Sequence, residues 1–371
     1  MGTMALVLTL LAADGGTDVE LDQAMKANLA QVASVLPFLA NPDAFRDPKN
    51  AKAISATIDV LGQVKHITRA QPNVAVGAMA TLFEQEVART REDFDHQNKD
   101  SARQRMVGLT RMCIGCHSRA AAKVDWKGMD GLVDSLKLTP LQRANFYVGT
   151  HQFGRAKEVW AKALAVTPTN DAETFEQAQA LRLAVATLTR AEHDADGVLA
   201  LVKPQLKRRD FPGFVQRAIK RWNADAAAWR AEGYEPSKQS AAQLLTKAEA
   251  LLTKTGATTR MLSDDEGLVP NMRAAAYAQR ALDGDVGPAQ EARALYFLAL
   301  AHASASDPAL WQLEALLLER CVHLQPHTPQ AQTCAERLAD RVGFAYHGSL
   351  GGPVPANLVQ RIGELRVLAA P

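Results

Sequence analysis

Strand-like segments, long apolar runs and strong net charge are all missing from this chain of 371 residues. No segment alternates between apolar and polar residues as a half-buried strand does. No apolar run is long enough to span a bilayer. The formal net charge of +2 gives no reason to expect nucleic acid as a partner. Aromatic residues are few, at 6%, whereas alanine and leucine are abundant, so we expect an all-α protein.

Motifs of hydrolytic enzymes are also missing, since the chain has no nucleophile elbow, phosphate-binding loop or metalloprotease motif. These absences leave no hydrolytic site supported. We further predict no catalytic residues and a protein that is not an enzyme. Cysteine is scarce, with four in the whole chain, but two of the four are placed informatively. They occur in the run Cys113-Ile114-Gly115-Cys116-His117.

Two cysteines three residues apart, followed directly by histidine, form the attachment signature of a c-type haem. On a helix, Cys113 and Cys116 lie about one turn apart and bond the two vinyl groups of one porphyrin edge. His117 then serves as the proximal iron ligand. A thioredoxin-like redox pair and half of a zinc site are the alternatives, but no second ligand pair at zinc-site spacing is present. Because the signature occurs once, we predict one covalent haem c.

Four helical stretches, with apolar residues at three- and four-residue steps, are predicted in the first 122 residues. Their limits are about 20–36, 50–69, 73–94 and 100–122. Pro37 and the pair Asn41-Pro42 close the first stretch, and Pro72 closes the second. Short connections between long helices favour antiparallel neighbours, so the pattern predicts an up-down-up-down four-helix bundle.

The start of the first helix and the end of the fourth lie at the same end of such a bundle. Met25 therefore lies near the level of His117, and a methionine–histidine ligand pair is available to one iron. His66 and Met79 fall at that end too and are the alternative second ligands. A methionine on an apolar helical face also serves as core filler, and an iron with an open distal face is a further alternative.

A haem-binding motif at the end of the fourth helix, after three bundle helices, resembles the class II c-type cytochromes, the group that contains cytochrome c-prime. The resemblance covers about residues 18–122. The run Leu21-Asp22-Gln23-Ala24-Met25-Lys26 is similar to the first helix of non-covalent b-type relatives, whose methionine there is the distal ligand. The resemblance therefore implies that His117 and Met25 hold the haem iron.

Haem is attached to such motifs outside the cytoplasmic membrane in the cytochromes that this chain resembles, which predicts an exported, periplasmic protein. The apolar segment 4–11 suits the central region of a signal peptide. We expect residues 1–17 to be an export signal or a disordered start and residues 18–125 to form the haem domain. Residues 126–137 are the predicted linker, because the run from Trp126 to Gly131, which contains Gly128 and Gly131, breaks the helical pattern.

The remaining residues, 138–371, are predicted to form a series of helical pairs. Between 142 and 168, five residues match the aromatic, small and proline positions of a tetratricopeptide repeat: Tyr147, Ala156, Trp160, Ala163 and Pro168. A second repeat-like fragment spans 295–326, and helical stretches near 171–190, 192–202, 210–230, 238–255 and 271–282 lie between them. We expect a tetratricopeptide-like α-solenoid, with an irregular helical domain as the alternative.

Cys321 and Cys334 flank Pro326 and Pro329 in what the pattern indicates is a helical hairpin. Cysteines at comparable distances from such a turn come within disulfide reach, and we predict a disulfide rather than two free thiols in an exported protein.

Basic residues concentrate between Lys203 and Arg221: Lys203, Lys207, Arg208, Arg209, Arg217, Lys220 and Arg221. Phe211 and Phe214 lie among them, and Trp222 follows. Such a segment suits docking of an acidic redox partner, although a solvated helix face is the plainer interpretation.

The sequence thus predicts a periplasmic monohaem cytochrome that transfers electrons, with a second helical domain that docks redox partner proteins, within a larger assembly or a homodimer. The alternative is a gas-binding or gas-sensing haem protein whose iron has an open distal site. Peroxidase chemistry is weakly supported, because the sequence offers no distal acid–base pair.

Overall fold

The computed structural model describes most of the chain from residue 35 onward. The described residues are 35, 38–39, 41–62, 74–117, 133, 138–149, 152–233, 239–259, 265–284, 286–305, 312–346 and 351–371. For 74–76, 79, 110–117, 149, 304 and 305 the description is limited to the backbone. Within these ranges the protein is all-α, as predicted, with 15 α-helices and no β-strand.

The helices are labelled in chain order. They are α1 (Pro42–Arg46), α2 (Ala51–Gly62), α3 (Val74–Asp95), α4 (Lys99–His117), α5 (Pro140–Gly149), α6 (Phe153–Ala165), α7 (Asp171–Thr187), α8 (Ala195–Gln205), α9 (Gly213–Glu232), α10 (Ala241–Thr255), α11 (Leu268–Leu282), α12 (Pro288–Ala305), α13 (Leu313–Leu324), α14 (Pro329–Phe344) and α15 (Ala356–Ala369).

Helices α2, α3 and α4 lie within or close to the limits predicted for the second, third and fourth stretches, whereas the first falls almost wholly outside the described residues. The predicted apolar face of α2 is buried through Ile54, Ile58 and Leu61. The pair Asn41-Pro42, predicted to close the first stretch, also begins α1. The Asn41 side chain accepts hydrogen bonds from the backbone N–H groups of the first turn, and proline is well suited to the first helical position.

The later helices have recognisable start and stop signals. Ser240 begins α10 in a reciprocal capping box with Gln243, and Gly256 ends it with a φ of 73°, a left-handed conformation that favours glycine. Thr328 caps α14 by accepting from the N–H of Ala331 at 3.2 Å. All the helical stretches predicted between 171 and 282 are present, whereas α15 was not predicted.

Helix α11 lies at the centre of the C-terminal part. Every residue of α11 except Arg280 is buried, so the helix is buried on all faces, whereas a surface helix buries only one face. It contacts α7 and α9 as well as its chain neighbours α10 and α12. The helices around it are therefore packed on a shared centre.

Helices from the two sides of the predicted linker contact each other. The α4 helix packs against α5, and α3 packs against α13, far along the chain. Buried apolar residues form one cluster that runs from Val35 to Ala369. Of the predicted linker, 126–137, the structure describes only Val133, which is buried. The division into two domains stays a prediction. If the boundary lies in 126–137, helices on its two sides are in contact.

Candidate haem-attachment site

The haem-attachment motif lies in the last two turns of α4. Cys113 and Cys116 are three helical residues apart, so their backbones are separated by about one turn. His117 is the final residue of the helix. The side chains of 110–117 lie outside the described residues. The structure defines the position of the motif in α4 and the contacts that hold α4 in place.

A network of ion pairs fixes α4 against α3. Arg105 of α4 donates from Nη1 to Glu86 at 2.9 Å and from Nε to Asp93 at 2.7 Å, and both carboxylates belong to α3. Asp93 also accepts from the Ser101 hydroxyl at 2.6 Å. The Ser101 hydrogen bond, followed by that of Arg105, lowers the pKa of Asp93 below its ordinary value. Because these contacts span about two turns of α3 and one turn of α4, they set the register of the hairpin.

The turn between α3 and α4 is also fixed. Gln97 has a φ of 64°, which lets the chain reverse within three residues. Lys99 donates from Nζ to the carbonyl of Phe94 at 2.8 Å and lies over its ring, 3.2 Å from the centroid. The short turn makes the two helices antiparallel, so the start of α3 and the end of α4 lie at the same end of the hairpin.

The apolar face predicted for α4 is buried where it is described. Met106 and Leu109 are 2% and 3% exposed, and Ala102 is fully buried. Cys113 follows Met106 by seven residues, which is about two turns, and so occupies the same register position on the helix. The first cysteine of the motif is therefore in register with Met106, two turns farther toward the C-terminal end of α4.

Helix α2 is joined to α3 by Arg91. Its guanidinium donates to the backbone carbonyl and the hydroxyl of Ser55, both at 2.8 Å, and pairs with Asp59. Helix α1 is joined to α4 by an ion pair between Arg46 and Asp100 at 2.7 Å. These contacts make α1 to α4 one packed unit around the helix that carries the motif.

The predicted distal ligands are mostly outside the described part of the chain. Met25 and His66 lie outside it entirely, and for Met79 only its position in α3 is described. Met79 precedes Gln97 by 18 residues and Gly115 follows it by 18, so these two positions are level in the hairpin. Met79 thus lies at the same end of the α3–α4 hairpin as the motif, and the choice among the three ligands stays open.

The two remaining cysteines are joined. Cys321 of α13 and Cys334 of α14 form the predicted disulfide, with their Cα atoms 6.3 Å apart and both side chains fully buried. Gln330 lies beside them, with its Nε2 atom 3.6 Å from the Cys334 sulfur. The bond links two helices of the hairpin whose first member, α13, packs against α3.

The basic segment between Lys203 and Arg221 is only partly available to a partner. Arg208 pairs with Asp210 and lies 4.0 Å from the Phe211 ring centroid, so it belongs to the packing of its own loop. Arg217 and Arg221 form ion pairs with carboxylates of this chain. The basic residues of the segment that are exposed and form no ion pair with the described residues are Lys203, Lys207, Arg209 and Lys220.

Sequence reasoning missed a cavity between α7 and α9. Phe175 and Phe214 line it and are largely exposed, at 62% and 56%. Phe175 lies between Thr174 and Glu176 in a helix whose other large apolar residues come later. In the sequence, the available indication of this cavity was Phe175, a single aromatic residue among polar residues.

In the part of the chain that the structure describes, no helix is both long enough and apolar enough to cross a bilayer.

Comparison with known proteins adds no relative to these observations: no protein-family model matches the chain, and no curated protein or solved structure matches it significantly. The assignment of function therefore depends on the motif and its surroundings.

Proposed function

We propose that this protein is an exported c-type cytochrome with one covalent haem, and that it transfers electrons. The observation that carries the proposal is the Cys113–His117 motif at the C-terminal end of α4, in a helix that ion pairs and buried apolar residues hold in place. We further propose a class II-like four-helix bundle for residues 18–125. For residues 138–371 we propose the irregular helical domain rather than the tetratricopeptide-like array, because α7, α9, α10 and α12 all contact α11.

The donor set of the motif fits a c-type haem. Two thiols one helical turn apart, with an imidazole directly after the second, offer two attachment points and one axial nitrogen. Cys113 and Cys116 would hold the porphyrin, and His117 would bind the iron. Met25 is the proposed second ligand, with His66 and Met79 as the alternatives. The bound haem supplies reversible one-electron chemistry.

The protein's own contribution is to hold these ligands still. Arg105, Glu86 and Asp93 fix the register of α4 on α3, so the backbone that carries His117 has one position relative to its neighbours. Fixed ligands favour electron transfer, because little rearrangement accompanies the change of charge. A methionine as second ligand would favour the reduced state and raise the potential.

An oxidising compartment fits the disulfide-bonded pair of cysteines. A buried disulfide between Cys321 and Cys334 persists where thiols are not kept reduced, as in the periplasm. Cell fractionation tests this location, and recovery of the haem-bearing protein from the cytoplasm would contradict it.

The test of haem attachment is the covalently bound haem itself, measured by haem staining of the denatured protein and by its optical spectrum. We expect the parent protein to retain haem after denaturation, and the double variant Cys113→Ala/Cys116→Ala to lose it. The matched control is Cys321→Ala/Cys334→Ala, which removes two thiols outside the motif and should keep covalent haem. A parent protein without covalent haem would contradict the proposal.

The second ligand is tested by carbon monoxide binding to the reduced protein. We expect slow binding in the parent and fast binding in Met25→Ala, with a low-spin ferric spectrum in the parent. A high-spin, five-coordinate ferric spectrum, with fast binding that Met25→Ala leaves unchanged, would instead support the gas-binding alternative with an open distal site.

A further inference from the structure

Helices α8 and α9 pack against each other as a hairpin and are joined by the turn 206–212. Asp196, near the start of α8, forms an ion pair with Arg230, near the end of α9, at 3.4 Å, so the two helices are antiparallel. Each residue advances a helix by about 1.5 Å. Counting equal steps inward from this ion pair, Lys220 of α9 falls between the levels of Lys203 and Lys207. The hairpin therefore brings lysines from both of its sides to one height.

Lys207 lies just beyond the last residue of α8, but the chain keeps turning there. The N–H of Leu206 donates to the carbonyl of Lys203 at 3.4 Å, and the N–H of Arg208 donates to that of Gln205 at 3.1 Å. Side chains four residues apart in a helical turn lie on the same side. Lys203 and Lys207 are both exposed and therefore project from one side of the hairpin.

The turn between the two helices is folded back on α9 by Gln216. Its Nε2 atom donates to the carbonyl of Phe211 at 2.7 Å and to that of Arg209 at 3.5 Å. Lys220 follows Gln216 by four residues and so lies on the same face, one turn farther along α9. Arg209 is therefore held against the face of α9 that carries Lys220.

The positive charge of this hairpin is not neutralised within it. Between residues 197 and 224 the chain has one acidic residue, Asp210, and it pairs with Arg208. Arg217 and Arg221 pair with carboxylates outside that range. The remaining basic residues are exposed and form no ion pair with the described residues. These residues, here called the basic surface, are Lys203, Lys207, Arg209 and Lys220.

The basic surface has no apolar side chain to insert into a lipid and no ring on which a nucleic-acid base could stack. Among the described residues, no large exposed apolar side chain belongs to α8, and Phe214 is the one in α9. Phe214 lines the cavity toward α7 and is turned about 120° around α9 from Lys220. Membrane surfaces are bound through inserted apolar residues, and single-stranded nucleic acid through stacked aromatic residues. The chemistry of the basic surface therefore favours carboxylates of a protein.

We propose that the basic surface of the α8–α9 hairpin docks an acidic region of a partner protein. Four cations at one end of the hairpin, with no carboxylate of their own, attract a cluster of Asp and Glu side chains by charge complementarity. Because the four side chains are exposed, they act mainly on the rate of association, and salt screens them. The proposal concerns the charge of the partner and does not depend on the haem assignment.

The probe is a fluorescein-labelled synthetic peptide in which glutamate alternates with glycine. The control peptide has glutamine in place of every glutamate and carries the same label. Fluorescence anisotropy with the full-length protein measures the binding of each. At low salt we expect the glutamate peptide to bind about tenfold more tightly than the glutamine peptide. At about 0.3 M salt, where the screening length is short, we expect most of this difference to disappear.

Variants locate the binding. Lys207→Gln/Lys220→Gln removes one charge from each side of the hairpin and is expected to weaken binding of the glutamate peptide by about fivefold. The matched control is Lys49→Gln/Lys52→Gln, which removes two exposed lysines that form no ion pair with the described residues. It gives the protein the same overall charge and should change binding less than about twofold. All four lysines are exposed, so both variants should fold, which circular dichroism checks.

Equal binding of the two peptides, or binding that Lys207→Gln/Lys220→Gln leaves unchanged, would overturn the proposal. Equal weakening by the two double variants would overturn it too, by showing that overall charge rather than this surface attracts the peptide. Sedimentation with phosphatidylglycerol vesicles that Lys207→Gln/Lys220→Gln abolishes would assign the surface to a lipid instead. A dimer that the same variant dissociates would assign it to a second copy of the chain. None of these outcomes bears on haem attachment, which is measured separately.

Discussion

Arg105 is the residue on which the placement of α4 most depends. Its partners Glu86 and Asp93 are 13% and 19% exposed, so they have little water to replace a lost guanidinium. We expect Arg105→Met to lower the free energy of unfolding by about 1 kcal/mol, a modest figure because Arg105 itself is partly exposed. Urea denaturation measures this. Arg46→Met removes a more exposed pair and is the control, with a smaller expected loss. Equal losses would show that burial of the Arg105 network contributes nothing.

His302 of α12 gives the stability a dependence on pH. The ring is 5% exposed, and burial, followed by the charge of Arg190, lowers its pKa well below the ordinary value. The folded protein therefore keeps His302 neutral, while the unfolded chain takes up a proton below about pH 6.5. Stability should fall as the pH drops below that value, and it should fall less in His302→Gln. Urea denaturation at pH 8, 6 and 5 tests this, and parallel pH profiles for parent and variant would contradict it.

At the scale of the element, the disulfide joins α13 to α14. The cysteines are 13 residues apart, a short loop for which a stabilisation of roughly 2 to 3 kcal/mol is expected. We predict that Cys321→Ser/Cys334→Ser lowers the free energy of unfolding by that amount. Comparison of the oxidised parent, the parent reduced in dithiothreitol and the variant provides the measurement. A reduced parent as stable as the oxidised one would mean that packing alone holds the hairpin.

Helices were predictable from sequence where an apolar stripe and a boundary residue agree. In α2 the spacing of Ile54, Ile58 and Leu61 fits one buried face. In α15 the signal is weak, because Leu365 is buried while Val359 and Val367 are exposed, so the apolar residues do not mark one face. Pro42 predicts a helix end but not the helix that it begins, since proline is suited to both positions.

The motif Cys113–His117 can be recognised in the sequence because it is contiguous, whereas the contacts that hold its helix in place cannot. Arg105, Glu86 and Asp93 are ordinary charged residues in the sequence, and only the register of α3 on α4 makes them partners. The same holds for the cavity between α7 and α9, where Arg182 donates a hydrogen bond to Asp265, 83 residues later in the chain. Pairings between distant segments leave no local pattern to read.

At the scale of the whole molecule, the interface between the two predicted domains has a consequence for truncation. A protein that ends near Trp126 keeps the motif but loses α13 and α5, which cover α3 and α4. The two-domain division predicts that it still attaches haem with the parent spectrum. Because the truncated protein exposes the surfaces of α3 and α4 that the later helices cover, we expect its melting temperature to be several degrees lower than that of the parent. Spectroscopy and thermal denaturation test the two statements separately, and loss of haem incorporation would show that the later helices help to build the site.

The buried helix α11 determines how the C-terminal part unfolds. In a linear array of helical pairs each unit touches only its neighbours, so such a protein unravels from its ends in steps. Here α7, α9, α10 and α12 all contact α11, so the unfolding of any one of them would expose α11 to water. We therefore expect this region to unfold cooperatively, as one block.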